Sequence, residues 1–133
     1  MSISKDDVDR WLGRYVAAWK SYEHDEIAAL FSDDIEYRYH PNDAPVRGRD
    51  AVVKAWLGDT DEPEASSRDV PGTYDAEYRT IAVDGEVAVA TGSSTYLDRP
   101  DGTVDRVYDN CFVMRFDDDG RCLEFTEWFI KRS

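Results

Sequence analysis

At 133 residues, 41% hydrophobic and 13% aromatic, the chain has material for one packed core and too little for two. Its 29 acidic residues outnumber 16 basic ones, for a formal net charge of -13. Without clustered Lys and Arg to neutralise phosphates, nucleic acid and anionic membranes are excluded as expected partners. Only Lys5, Lys20, Lys54 and Lys131 are lysines, and an Asp-rich surface of this kind suits a salt-rich cytoplasm, where screening relieves self-repulsion. No apolar run has membrane-spanning length, and Met1 to Asp9 lacks a basic-then-apolar signal pattern, so the expected location is cytoplasmic.

Ser4 is placed to cap a first helix, with Asp6 and Asp7 near the positive end of its dipole. Val8, Trp11, Leu12, Tyr15, Val16, Trp19 and Tyr22 then recur three or four residues apart, an apolar stripe with polar-tipped aromatic members. The pattern restarts after Asp25 as a short second helix with Ile27, Leu30 and Phe31 on one face, ended by Ser32-Asp33-Asp34. Ile35 to His40 alternates as a strand and stops at Pro41. A third helix follows Gly48-Arg49-Asp50 and groups Val52, Val53, Trp56 and Leu57. Gly58 to Gly72, rich in Asp, Glu, Ser and Pro, is the longest expected loop, placed over one end of the fold.

From Thr73 onward the signal is all strand. Tyr74 to Val83 and Glu86 to Leu97 flank a tight Asp84-Gly85 turn. Val104 to Phe116 and Arg121 to Lys131 flank Asp117-Asp118-Asp119-Gly120. A four-residue loop there would set Phe112 opposite Phe125, Asn110 opposite Glu127 and Tyr108 opposite Phe129. That face is apolar except for one amide and one carboxylate. The other face carries Val107, Cys111, Val113, Thr126, Trp128 and Ile130, with Cys122 also assigned to it, too far from Cys111 to bridge. Both faces look worth burying, which points to an inward pocket and an outward homodimer contact through the convex side. Helices first and a curled mixed or antiparallel sheet after make an α+β layout.

Tyr15-Val16-Ala17-Ala18-Trp19, the run Asp25 to Asp34, Pro45 to Val52 and Phe112 to Arg121 together resemble the nuclear transport factor 2-like superfamily, in its SnoaL-like and ketosteroid-isomerase-like branch. The likeness spans nearly the whole chain in one order. It implies a single domain over 1–133, with three N-terminal helices on a strongly curved sheet. The shape implied is a cone-like, half-open barrel of cystatin type with a deep pocket. It does not imply one activity, since the superfamily includes isomerases, cyclases, dehydratases, epoxide hydrolases and proteins without chemistry. The isomerases use a helix-one tyrosine as oxyanion donor, and Tyr15 stands there. Their catalytic aspartate falls at Tyr39, beside His40, and their second oxyanion donor falls at Phe112, so steroid isomerisation is not implied.

Glu127 is the sharpest chemical candidate: a carboxylate between Phe125 and Phe129 in an aromatic cavity is desolvated and suited to proton exchange. Asn110 is its expected partner, and Tyr15 and Asn110 are the candidates to orient substrate or stabilise an oxyanion. Trp19, Tyr37, Tyr39, His40, Trp56, Tyr108, Phe112, Phe125 and Phe129 are candidate ligand contacts; Tyr15, Trp19, Tyr37, Tyr39 and Tyr108 also read as plain core and His40 as a surface residue. With no phosphate loop, nucleophile elbow or metal-ligand spacing, neither cofactor nor metal is expected. The expected function is a small-molecule pocket protein, as a cofactor-independent acid–base enzyme on an apolar or aromatic metabolite. The alternative is a non-catalytic ligand-binding or dimeric interaction protein of the same fold.

Overall fold

The computed structural model describes residues 3–58 and 68–133. Most of the loop expected over Gly58 to Gly72 therefore lies outside the described residues. Three helices, α1 (Lys5–Ser21), α2 (His24–Ala28) and α3 (Arg49–Leu57), accompany six strands: β1 (Phe31–Arg38), β2 (Val46–Arg47), β3 (Tyr74–Asp84), β4 (Val87–Leu97), β5 (Val104–Phe116) and β6 (Cys122–Lys131). They form one mixed sheet of order β2-β1-β6-β5-β4-β3, parallel only between β1 and β6. Its two edges stay apart, so the barrel is open.

α1 starts where Ser4 Oγ accepts from the Asp7 N–H and Asp7 answers the Ser4 N–H, a reciprocal cap that satisfies two orphan donors. It ends at Tyr22, in left-handed conformation (φ 51°), whose N–H returns to Ala18 O. Val8, Trp11, Leu12, Tyr15 and Ala18 are buried against the sheet. Each large apolar member contributes about 1.5–3 kcal/mol by leaving water. Trp11 is the hub: its rings contact Tyr15, Phe31, Phe116 and Phe125, and its Nε1–H donates to Leu30 O at 3.0 Å.

Two expectations are corrected here. The second helix stops at Ala28, and Phe31-Ser32-Asp33-Asp34 begins β1, because Phe31 pairs in parallel with Cys122 and is fully buried. The C-terminal hairpin also has a different register. Asp117 N–H donates to Arg121 O (2.8 Å), Phe116 pairs with Cys122, and Leu123 bulges. Phe112 therefore faces Glu127, Asn110 faces Phe129, and Tyr108 faces Lys131. A loop one residue longer and a one-residue bulge add to a shift of two, which keeps side chains beyond the bulge on their expected faces. Cys122 precedes the bulge and changes sides. It is buried in the core, both cysteines are free, and burial pushes its thiol well above the usual range.

The sheet curves through irregularities between Thr80 and Ala82, Tyr96 and Leu97, and Arg115 and Phe116. At Gly92 the backbone of β3 comes so close that an added Cβ would lie 1.9 Å from Glu77 O and 2.7 Å from Tyr78 Cα. That approach holds Tyr78 against Phe112, their rings 4.6 Å apart, with Tyr78 turned inward.

Candidate active site

Between α1, α3 and the concave sheet lies a cavity of about 500 Å³. α1 contributes Tyr15 and Trp19, with Tyr22 at its C-terminal cap. β1 contributes Tyr37, with Tyr39 just beyond it, and α3 contributes Trp56. From the sheet come Tyr78, Ser94, Tyr96, Tyr108, Asn110, Glu127 and Phe129. The period-two alternation of β5 and β6 aims Asn110, Glu127 and Phe129 to the same side. Tyr39 and Phe129, 37% and 40% exposed, sit where the wall meets solvent.

Glu127 ends a chain of hydrogen bonds running across the sheet. Asn110 Nδ2 donates to Glu127 Oε2 at 2.9 Å, Ser94 Oγ donates to Asn110 Oδ1 at 2.9 Å, and Tyr78 OH lies 2.6 Å from Ser94 Oγ. Because the Ser94 proton is committed to Asn110, Tyr78 is the donor in the last contact. Each member fixes the orientation of the next, and the buried amide of Asn110 is satisfied at both ends. Burial pushes the half-buried Glu127 carboxyl up to about 7, against the opposing pull of the Asn110 hydrogen bond and of His40. Its charge opposes ionisation of Tyr15, Tyr37, Tyr39, Tyr78 and Tyr96.

Tyr15 OH and Tyr37 OH are 3.0 Å apart and both buried. Two phenols carry two protons, and their mutual bond uses one, so one hydroxyl of the pair retains a proton to donate elsewhere. Burial raises both well above the usual phenol range, and lifts Tyr39 to about 12, so all three remain protonated donors at neutral pH.

A family model for the SnoaL-like domain matches residues 12–125, most of the chain. The chain belongs to the SnoaL-like domain family. Solved structures agree on the architecture. A candidate ketosteroid isomerase from Kribbella flavida DSM 17836 superposes with a TM-score of 0.67 at 15% identity, covering 97% of this chain and 82% of that one. An LEH-like epoxide hydrolase of M. tuberculosis gives 0.62 at 17% identity, covering 95% and 84%. No curated protein matches the sequence. This SnoaL-like domain thus has the cone-shaped α+β fold of the nuclear transport factor 2-like superfamily.

Of the candidate residues, Glu127, Tyr15, Asn110, Trp19, Tyr37, Tyr39, Trp56, Tyr108 and Phe129 line the cavity of the SnoaL-like domain. Three do not. Phe125 stacks behind Tyr15 and Tyr37, at 5.5 and 4.5 Å, and Phe112 packs 4.9 Å from Phe125, so both support the wall from the core. His40 contacts Asp43 Oδ2 at 3.0 Å and the Phe129 ring at 5.0 Å, outside the wall. Asn110, doubly bonded within the protein, is better suited to positioning Glu127 than to binding an oxyanion.

The wall also holds Tyr22, read from the sequence only as part of the α1 stripe, and Tyr78, Ser94, Tyr96 and a second carboxylate, Asp69, none of them a site candidate there. Trp19 Nε1–H donates to Asp69 Oδ2 at 3.0 Å, and the Asp69 N–H donates to Tyr22 OH at 2.9 Å. Inward alternation along β3 and β4 was the available signal for Tyr78, Ser94 and Tyr96. Asp69, in an acidic loop, gave none. Among the described residues, no three His, Cys, Asp or Glu side chains are grouped to hold a metal ion, and no helix is long and apolar enough to cross a membrane.

Proposed function

We propose that this protein is a small-molecule enzyme of cofactor-independent acid–base type, working on an apolar or aromatic metabolite in the α1–sheet cavity. Glu127 is the proton-exchanging group, Asn110 positions it, and the Tyr15–Tyr37 pair supplies the hydroxyl proton that meets negative charge developing on a substrate oxygen. In such a reaction the carboxylate takes a proton from carbon and returns it to another atom of the same molecule, so no co-reactant is consumed. The single observation that carries the reading is a carboxyl on an aromatic cavity wall, held by Asn110 Nδ2 at 2.9 Å, which burial pushes up to about 7. Turnover of cyclic ketones or lactones found by thermal-shift screening tests it. Glu127→Gln is expected to cut kcat by about 10²–10⁴ while the affinity for a neutral ligand survives; unchanged turnover refutes the role.

Ligand carriage without turnover is a second reading. It is favoured by the chain from Tyr78 to Glu127, which is satisfied internally without a substrate. We further infer a cytoplasmic homodimer. Its support is the convex face, where Trp128 and Ile130 are 43% and 73% exposed beside Val107, Cys111 and Val113, and the two unbridged cysteines.

A further inference from the structure

The chemistry of the cavity wall is one-sided. Among its described residues ten are aromatic, two are carboxylates (Asp69 and Glu127), and none is Lys, Arg or His. An aromatic ring presents a negative face, and a cation within about 6 Å of it is attracted in proportion to how far it is desolvated. Three rings of this wall, Tyr22, Tyr96 and Tyr108, already take a cation from within the protein, Arg106 lying 6.0 Å from the Tyr108 centroid. Arg106 lies over Tyr96 with its Cζ 4.2 Å from the centroid, and Arg68 lies over Tyr22 at 5.4 Å. Neither arginine is itself on the wall. An anionic ligand would meet the Asp69 and Glu127 carboxyl groups and ring faces of the wrong sign, and a neutral one would forgo the attraction these groups offer a cation. The formal charge of -13 adds a long-range field that draws cations and repels anions.

We infer that the cavity selects a cationic ligand, an organic ammonium on an apolar or aromatic body, with the ammonium drawn by the wall carboxyl groups of Asp69 and Glu127 and by the faces of the surrounding rings. The inference rests on the cavity being a ligand site, and it deepens the proposed function by naming the charge of the substrate.

The test is a series of one shape and three charges: 2-phenylethylamine, 2-phenylethanol and phenylacetate, titrated by calorimetry at neutral pH and low ionic strength. The amine is expected to bind about tenfold or more tighter than the alcohol, and phenylacetate weakest. Asp69→Asn and Glu127→Gln should each reduce the amine-to-alcohol ratio several-fold while the alcohol affinity stays near wild type, which also reports an intact fold. Should either variant misfold, the wild-type series alone decides. Equal binding of amine and alcohol, tighter binding of phenylacetate, or no binding of any of the three at millimolar concentration overturns the inference. The two proposals fail separately. A protein that holds the amine and turns nothing over loses the acid–base reading only, whereas one that turns over neutral ketones and ignores amines loses the cation preference only.

Discussion

Glu127→Gln exchanges a titrating carboxyl for an amide that keeps an oxygen to accept from Asn110 Nδ2. In the wild-type fold burial lifts this carboxyl from 4.5 to about 7, while the unfolded chain ionises at the ordinary value. Between those two values the fold retains a proton that the unfolded chain gives up. Wild-type stability therefore falls as pH rises through this window and levels off above it. At about 1.4 kcal/mol for each pKa unit, the full loss is about 3 kcal/mol. For a domain of this length that corresponds to about 10 °C in Tm. The amide does not titrate, so the variant escapes the loss. Thermal melts followed by circular dichroism should show the two proteins close together near pH 5, and the variant more stable by about 10 °C above pH 8. A gap that does not change with pH, or a variant less stable at high pH, would refute the argument that burial governs this carboxyl. Greater stability together with lost turnover is what a group strained for chemistry produces.

Asn110→Ala strips Glu127 of the hydrogen bond that restrains its proton affinity and leaves Ser94 without its acceptor. It should cost about 1–3 kcal/mol in urea unfolding and move the Glu127 ionisation, read by pH-dependent melts, to higher pH. Gly92→Ala forces a Cβ onto the β3 backbone. It is expected to destabilise by more than about 2 kcal/mol, with soluble yield and urea midpoint as the readout. Trp128→Glu places charge on the exposed convex face and should convert a dimer to a monomer in sedimentation velocity; a dimer persisting in the variant would exclude that face as the contact.

The sequence carried the inward and outward faces further than it carried the register. Asn110, Glu127 and Phe129 keep their side because the loop extension and the Leu123 bulge displace the pairing by an even number, whereas Cys122, before the bulge, moves from the convex side to the core. Local pattern could not find the start of β1: Leu30-Phe31 fits a helix face as well as a strand, and only pairing with β6 decides for the strand. β2, two residues long, has no periodicity to detect. The wall was half legible for a related reason. Aromatic residues on α1, β5 and β6 stand out by type and spacing. Ser94 gains its meaning from Tyr78 and Asn110, which lie on neighbouring strands and are separated from it by 16 positions each. Phe112 and Phe125 show the opposite error, since sharing a face with Glu127 does not decide which rings reach the hollow and which lie beneath it.

The place of β6 between β1 and β5 bears on how the molecule is assembled. A nascent chain made only as far as Arg121 would present two unpaired strand borders, on either side of a gap one strand wide. Insertion of the missing strand closes both borders and, in the same event, delivers Glu127. An incompletely synthesised copy would then be sticky and recognisable to quality control, yet would lack the Glu127 carboxyl of the cavity wall.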